Sequence, residues 1–140
     1  MQALSLHHVG VVVKDIGRSC DDYVTRFGFE RRSEVIHDPL QTAYVQFLRF
    51  PGDASCVELV APDGPESKLT RALARGGGLN HLCYATDHIE AAFKTMVGRG
   101  MRPVQAPVPA VAFPGRRIAW LIGRDLALVE LVERGSAAEL

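Results

Sequence analysis

The second half of the chain restates the first at an offset of about 72 to 73 residues, so any fold that satisfies one half must satisfy the other. Leu6-His7-His8-Val9 matches Leu79-Asn80-His81-Leu82, and Val57-Glu58-Leu59-Val60 returns letter for letter as Val129-Glu130-Leu131-Val132. Each copy runs a short apolar strand into a helical pattern: Asp15-Ile16 with Tyr23, Val24 and Phe27 in the first, His88-Ile89 with Phe93, Met96 and Val97 in the second. Gly28 and Gly100 stand where helices end on a glycine.

Both copies therefore read strand, helix, then two or three strands. In the first, strands are expected over 31–36, 42–50 and 55–60, with a turn at Pro51-Gly52-Asp53. In the second they are expected from about 101 to 105 and over 117–122 and 126–132. An irregular proline-rich stretch is expected over 106–114, and a turn at Gly123-Arg124-Asp125. Module one spans about 5–62 and module two about 79–134. The linker, 63–78, contains a break at Asp63-Gly64-Pro65, a short helix from Ser67 to Arg75 and a pliable Gly76-Gly77-Gly78 joint. Neither half can bury a sufficient core alone, so residues 1–140 are expected to form a single α+β domain.

Strand alternation sorts the polar residues by face. His8 points with Gly10 and Val12 while His7 points the other way, and His81 shares its face with Cys83 and Ala85. Glu130 lies inside the apolar run 126–132 and Glu58 inside 56–61, where a carboxylate is costly to bury without a partner or a metal. Taken singly, each histidine is more commonly a core residue and each glutamate a solvated one. Recurrence of all four in register is what points to a shared job. His8, Glu58, His81 and Glu130 together suit a borderline divalent ion such as Mn, Co, Ni, Fe or Zn. His37, expected in a loop, and His88, expected at a helix start, stand outside this register. Cys20, Cys56 and Cys83 are odd in number and set in apolar surroundings, which reads as packing thiols.

Composition removes other classes. Sixteen Lys and Arg balance sixteen Asp and Glu, so no global field favours nucleic acid or an anionic membrane surface. No apolar run approaches the roughly 18 residues of a spanning helix. The opening Met1-Gln2-Ala3-Leu4 lacks the charged and apolar regions of a signal peptide, so a cytoplasmic location is expected.

On these residues the chain resembles the vicinal oxygen chelate superfamily, whose members pair βαβββ units into a curved mixed sheet around a metal. Within it the chain looks most like methylmalonyl-CoA epimerases, through His8-Val9-Gly10-Val11 with Val13-Lys14-Asp15, Glu58-Leu59-Val60-Ala61-Pro62, Gly78-Leu79-Asn80-His81 and Arg117-Ile118-Ala119-Trp120-Leu121. The resemblance covers about Leu6 to Glu133 and places the metal on His8, Glu58, His81 and Glu130. It implies a homodimer and an acyl thioester or a 2-oxo or 2-substituted acid as substrate. It also implies an isomerase that moves a proton α to a carbonyl through an enediolate, with the metal polarising the carbonyl. Glu130 and Glu58 are the candidate proton carriers. Gln46 is a candidate hydrogen-bonder to a substrate oxygen, sharing a face with Glu58 if the hairpin closes around Asp53, and Arg116 and Arg117 are candidate anion binders.

Two departures stand out. The family's additional glutamate on the strand before the hairpin has no counterpart, since Ala43 to Phe50 contains no acid. Its usual His-Pro-Lys-Ser segment is replaced by Ile122-Gly123-Arg124-Asp125-Leu126. A lyase of the glyoxalase I type, in which a ligand glutamate acts as base, is therefore the nearest alternative. A metal-free small-molecule binding or resistance protein is the alternative from a different class. A ring-cleaving dioxygenase fits less well, because that chemistry favours two histidines with one carboxylate.

Overall fold

A computed structural model describes residues 3–125, 127–136 and 140. Among them are nine strands and three helices, and contacts group the chain into two compact units, residues 8–80 and residues 1–7 with 81–140. The class is α+β, and the strand–helix–strands order occurs twice, as the repeat requires.

In the unit of residues 8–80, strand β1 (Ser5–Val12, which enters the unit at His8) leads into helix α1 (Ile16–Phe27). The Asp15 carboxylate starts that helix by accepting from the Arg18 N–H at 3.0 Å, and Gly28 ends it at φ 81°, donating to the Val24 carbonyl. Strands β2 (Glu30–Arg31), β3 (Ile36–Asp38), β4 (Ala43–Arg49) and β5 (Cys56–Pro62) follow. β5 pairs parallel with β1 and antiparallel with β4, and β2 and β3 both pair with β4. Ile16 and Cys20 of α1 pack on Leu48, Leu59 and Ala61, so one face of the sheet is covered by the helix.

The single strand expected over 31–36 is corrected to the two short strands β2 and β3, which places His37 in a strand rather than a loop. Ser33 divides them: its hydroxyl accepts from the Phe47 N–H at 3.0 Å, a local side-chain bond that takes the place of a continuous ladder. Helix α2 (Thr70–Ala74) is shorter than the expected 67–75, because Ser67 forms the turn into it. The Ser67 hydroxyl donates to the Thr42 carbonyl at 2.6 Å and accepts from the Leu69 N–H at 3.0 Å.

In the other unit, strand β6 (Gly78–Thr86, which enters the unit at His81) leads into helix α3 (Ile89–Gly98) and strands β7 (Arg102–Pro109), β8 (Arg117–Ile122) and β9 (Leu128–Glu133). β9 pairs parallel with β6 and antiparallel with β8, and β8 pairs with β7. Ile89, Ala92 and Met96 of α3 pack on Ala119, Leu121 and Leu131. Leu126, where the sequence starts the last strand, lies outside the described residues, as do Met1 and Gln2.

The expected irregular stretch from Ala106 is also corrected, since β7 continues through Pro109. Three prolines are tolerated there because β7 ends the strand order: a residue without an N–H does no harm on an edge, and register shifts between Pro103 and Gln105 and between Gln105 and Val108 absorb the misfit. Among the described residues no helix is long and apolar enough to cross a membrane.

Arg117 ties β8, β9 and α3 together. Its backbone N–H donates to Glu133 Oε1 at 2.6 Å, its Nη2 to Glu133 Oε2 at 3.1 Å and its Nη1 to Glu90 Oε1 at 2.6 Å. The guanidinium hydrogen bonds hold the Glu133 carboxyl below its ordinary value, against the opposing effect of partial burial.

Two consequences are measurable. Gly77 sits at φ 70°, and a Cβ there would come within 2.7 Å of the Val12 carbonyl oxygen, so Gly77→Ala should cost about 1–3 kcal/mol in urea unfolding. Gly64→Ala, where a Cβ meets nothing within 4 Å, should stay within about 0.5 kcal/mol of wild type. Glu133→Gln should destabilise the protein at pH 7. Because the folded carboxyl is lowered, the wild-type advantage is complete above the unfolded value near 4.5 and fades as pH drops through the lower folded value. Denaturation curves should therefore differ for the two proteins at pH 7, and the difference should narrow as the pH is lowered below 4.5.

Candidate metal centre

The face of the first sheet not covered by α1 carries the chemistry. His8, Gly10 and Val12 are buried on one side of β1, as alternation predicts. The parallel register sets Gly10 opposite Glu58 and His8 opposite Cys56, which leaves Glu58 one diagonal step from His8 on the same face. His8 Nε2 lies 3.3 Å from Glu58 Oε1. Phe47 is the antiparallel partner of Glu58, and its ring stands edge-on to the His8 imidazole with centroids 5.4 Å apart. Burial pushes the Cys56 thiol up, more than nearby Arg49 and His8 pull it down, so it reads as a packing thiol rather than a ready thiolate ligand.

The other unit repeats this arrangement. His81, Cys83 and Ala85 are buried on one side of β6, and Cys83 is opposite Glu130, again one diagonal step from the histidine. His81 Nε2 lies 3.4 Å from Glu130 Oε1. Trp120 is the antiparallel partner of Glu130, edge-on to His81 with centroids 4.8 Å apart. Phe47 and Trp120 thus extend the repeat from two residues per unit to three. The sequence held a signal for them, since Val45-Gln46-Phe47-Leu48 and Ile118-Ala119-Trp120-Leu121 align at the same offset as the histidines.

All four polar side chains are deeply buried, at 0% exposure for His8, 6% for Glu58, 4% for His81 and 5% for Glu130. Their donor set is one that can hold a metal ion. The spacing within each pair also fits: two ligand atoms each about 2.1 Å from one ion, at angles between square and tetrahedral, lie about 3.0 to 3.4 Å apart. Imidazole with carboxylate is the chemistry of borderline divalent ions.

The remaining expected site residues fall elsewhere. Gln46 does not share a face with Glu58. Leu48 pairs with Val57 and Gln46 with Leu59, so the hairpin is centred between Gly52 and Asp53 rather than on Asp53, and that half-step places Gln46 on the helix-covered side. There its amide donates to the Ser33 carbonyl at 3.0 Å. Arg117 is engaged by Glu133 and Glu90, and the Arg116 guanidinium lies 4.7 Å from the Phe113 ring centroid and donates to the Glu133 carbonyl.

His7, facing away from His8, stands edge-on to Phe113. His37 Nε2 is 2.9 Å from Asp63 Oδ2. His88 occupies the N-cap position of α3 without a side-chain capping bond. All three cysteines are buried and free.

Comparison with known proteins agrees with this architecture. The chain is 28% identical over 130 residues to the ethylmalonyl-CoA/methylmalonyl-CoA epimerase of Cereibacter sphaeroides, covering 90% of this chain and 95% of that one. It is 30% identical over 130 residues to the mitochondrial methylmalonyl-CoA epimerase of mouse, covering 90% of this chain and 71% of the mouse protein. The crystal structure of methylmalonyl-CoA epimerase from Mycobacterium tuberculosis superposes with a TM-score of 0.84 at 26% identity, covering 97% of this chain and 94% of that one. The Glyoxalase/Bleomycin resistance protein/Dioxygenase superfamily matches residues 7–120, and the chain, with its twice-built sheet and twice-built His–Glu pair, belongs to that superfamily.

Proposed function

We propose that the chain is a divalent-metal-dependent epimerase of the methylmalonyl-CoA epimerase type, moving a proton α to the carbonyl of a 2-substituted acyl thioester through an enediolate. The observation that carries this reading is the equivalent buried His–Glu pair in each unit, found in a chain whose similar proteins include enzymes named for that reaction. His8, Glu58, His81 and Glu130 would hold the ion. When bound, such an ion supplies Lewis acidity that acidifies the C–H next to a carbonyl.

The chain's own residues do the rest. Each glutamate turns Oε1 toward its histidine, and a carboxylate carries a second oxygen through which a proton can pass. Glu130 takes the α-proton, and Glu58, its counterpart in the repeat, is assigned its return on the other face of the planar enediolate. Phe47 is fully buried and Trp120 nearly so, and these rings keep water from the face on which the glutamates stand.

A second reading, a lyase of the glyoxalase I type, draws support from β4. Its site-face positions are Ala43, Val45 and Phe47, so that strand brings no acid to either reaction. In both readings the glutamates of the pairs carry the proton, and the neighbouring strand β3 sets a further buried carboxylate on this face, since Asp38, 5% exposed, is the register partner of Ala43.

The test loads the protein with Co or Ni, follows deuterium entry into 2-methylmalonyl-CoA and assays the hemithioacetal of methylglyoxal and glutathione in parallel. Exchange at the α-carbon is expected, with EDTA abolishing it and lowering Tm, since the ion stabilises only the folded state that forms its site. Glu130→Gln should slow exchange by about 10² or more at matched metal occupancy, the usual range for a lost acid–base group. Turnover of the hemithioacetal alone selects the lyase. Metal-independent ligand binding without turnover replaces the enzyme with a binding protein.

A further inference from the structure

Among the buried side chains of the described residues, the indole N–H of Trp120 has no hydrogen-bond partner. The residue is 8% exposed, so solvent does little to satisfy that donor. An indole nitrogen only donates, and what it lacks is therefore an acceptor. Its setting is chemically specific: Trp120 is the cross-strand partner of Glu130 and lies edge-on to His81, with an interplanar angle of 78°.

The repeat supplies an internal control for the ring itself. Phe47 holds the equivalent position in the other unit, as partner of Glu58 and edge-on to His8 at 74°. A hydrocarbon ring therefore meets the packing demand at this position. Besides its greater size, what Trp120 adds is one polar hydrogen on a ring that stands beside a histidine and a glutamate. A buried donor without an acceptor is unfavourable in the free protein, and it is compensated only when an acceptor arrives.

We propose that Trp120 Nε1–H donates a hydrogen bond to an oxygen of the bound ligand, a carboxylate or carbonyl oxygen held next to His81 and Glu130. Trp120 is then a binding residue that selects ligands by an acceptor oxygen at that position. The proposal rests on the proposed function only in taking the His–Glu face as the ligand's seat.

Trp120 is the single tryptophan of the chain, so its ¹⁵N–¹H indole resonance is unambiguous. Zinc-loaded protein is titrated first with malonate and then with 2-methylmalonyl-CoA, and the indole proton is expected to move downfield as a hydrogen bond forms. Trp120→Phe keeps a ring and removes the donor. It should bind zinc as wild type does, melt no lower, and bind malonate about tenfold more weakly, the scale of one hydrogen bond to a charged group. An indole proton that stays in place with both ligands overturns the proposal, as does a Trp120→Phe protein with wild-type malonate affinity. Should that variant fail to fold, the wild-type resonance still decides. An indole shift with malonate but no deuterium exchange in 2-methylmalonyl-CoA refutes the epimerase and leaves this hydrogen bond standing. Exchange without the shift does the reverse.

Discussion

Each unit of this protein is organised around a carboxylate placed where carboxylates do not belong. Glu58 and Glu130 sit in the middle of apolar strands, more than nine-tenths buried, and desolvating such a group is prohibitive unless a partner meets it. The partner in both cases is an imidazole from the neighbouring parallel strand, one diagonal step away. That requirement dictates much of what surrounds it. The strand pair that brings the two together is parallel, which demands a crossover, and α1 or α3 supplies a helix in the connection. The helix must cover the opposite face, so that face carries the leucines and alanines of the two apolar clusters.

The sequence exposed this logic where a residue's neighbours in the chain are also its physical reasons. Asp15 and Gly28 bound a helix through bonds that close within a few residues, and the alternation His8, Gly10, Val12 sets a face by geometry alone. It was silent where the deciding partner is distant. Nothing local says that Ser33 will bond the Phe47 N–H and split one strand into two. Nothing local says that β7 is an edge on which prolines are harmless. Gln46 shows the limit most plainly, because its face depends on a hairpin centre that differs by half a residue from the expected one.

The two copies also differ in the contacts that brace their strands from outside the paired faces. The unit of residues 8–80 adds an aromatic cluster to an Arg31–Asp21 ion pair, with Phe29 stacked on Phe50 at 3.9 Å and Tyr23 and Phe27 set around them. The other unit uses the Arg117, Glu133 and Glu90 ion-pair network. Aromatic contacts are indifferent to salt and pH, whereas the ion pairs weaken as salt rises and as falling pH protonates their carboxylates. The duplication has kept the faces that bear the His–Glu pairs and let the periphery adopt unlike chemistry.

The β4–β5 bend, residues 50–55, is one residue longer than its counterpart, residues 123–127 between β8 and β9. Yet the rung that joins Phe47 to Glu58 is the rung that joins Trp120 to Glu130. Across this bend the repeat's offset slips by one, from 73 between Phe47 and Trp120 to 72 between Glu58 and Glu130, without a slip inside either of the strands it joins. An odd change in residue count would invert every side chain of a strand if the ladder absorbed it, so the loss has been confined to the bend, where parity has no meaning. The ladder, in other words, is registered from the buried glutamate outward, and the bend accommodates whatever length is left over.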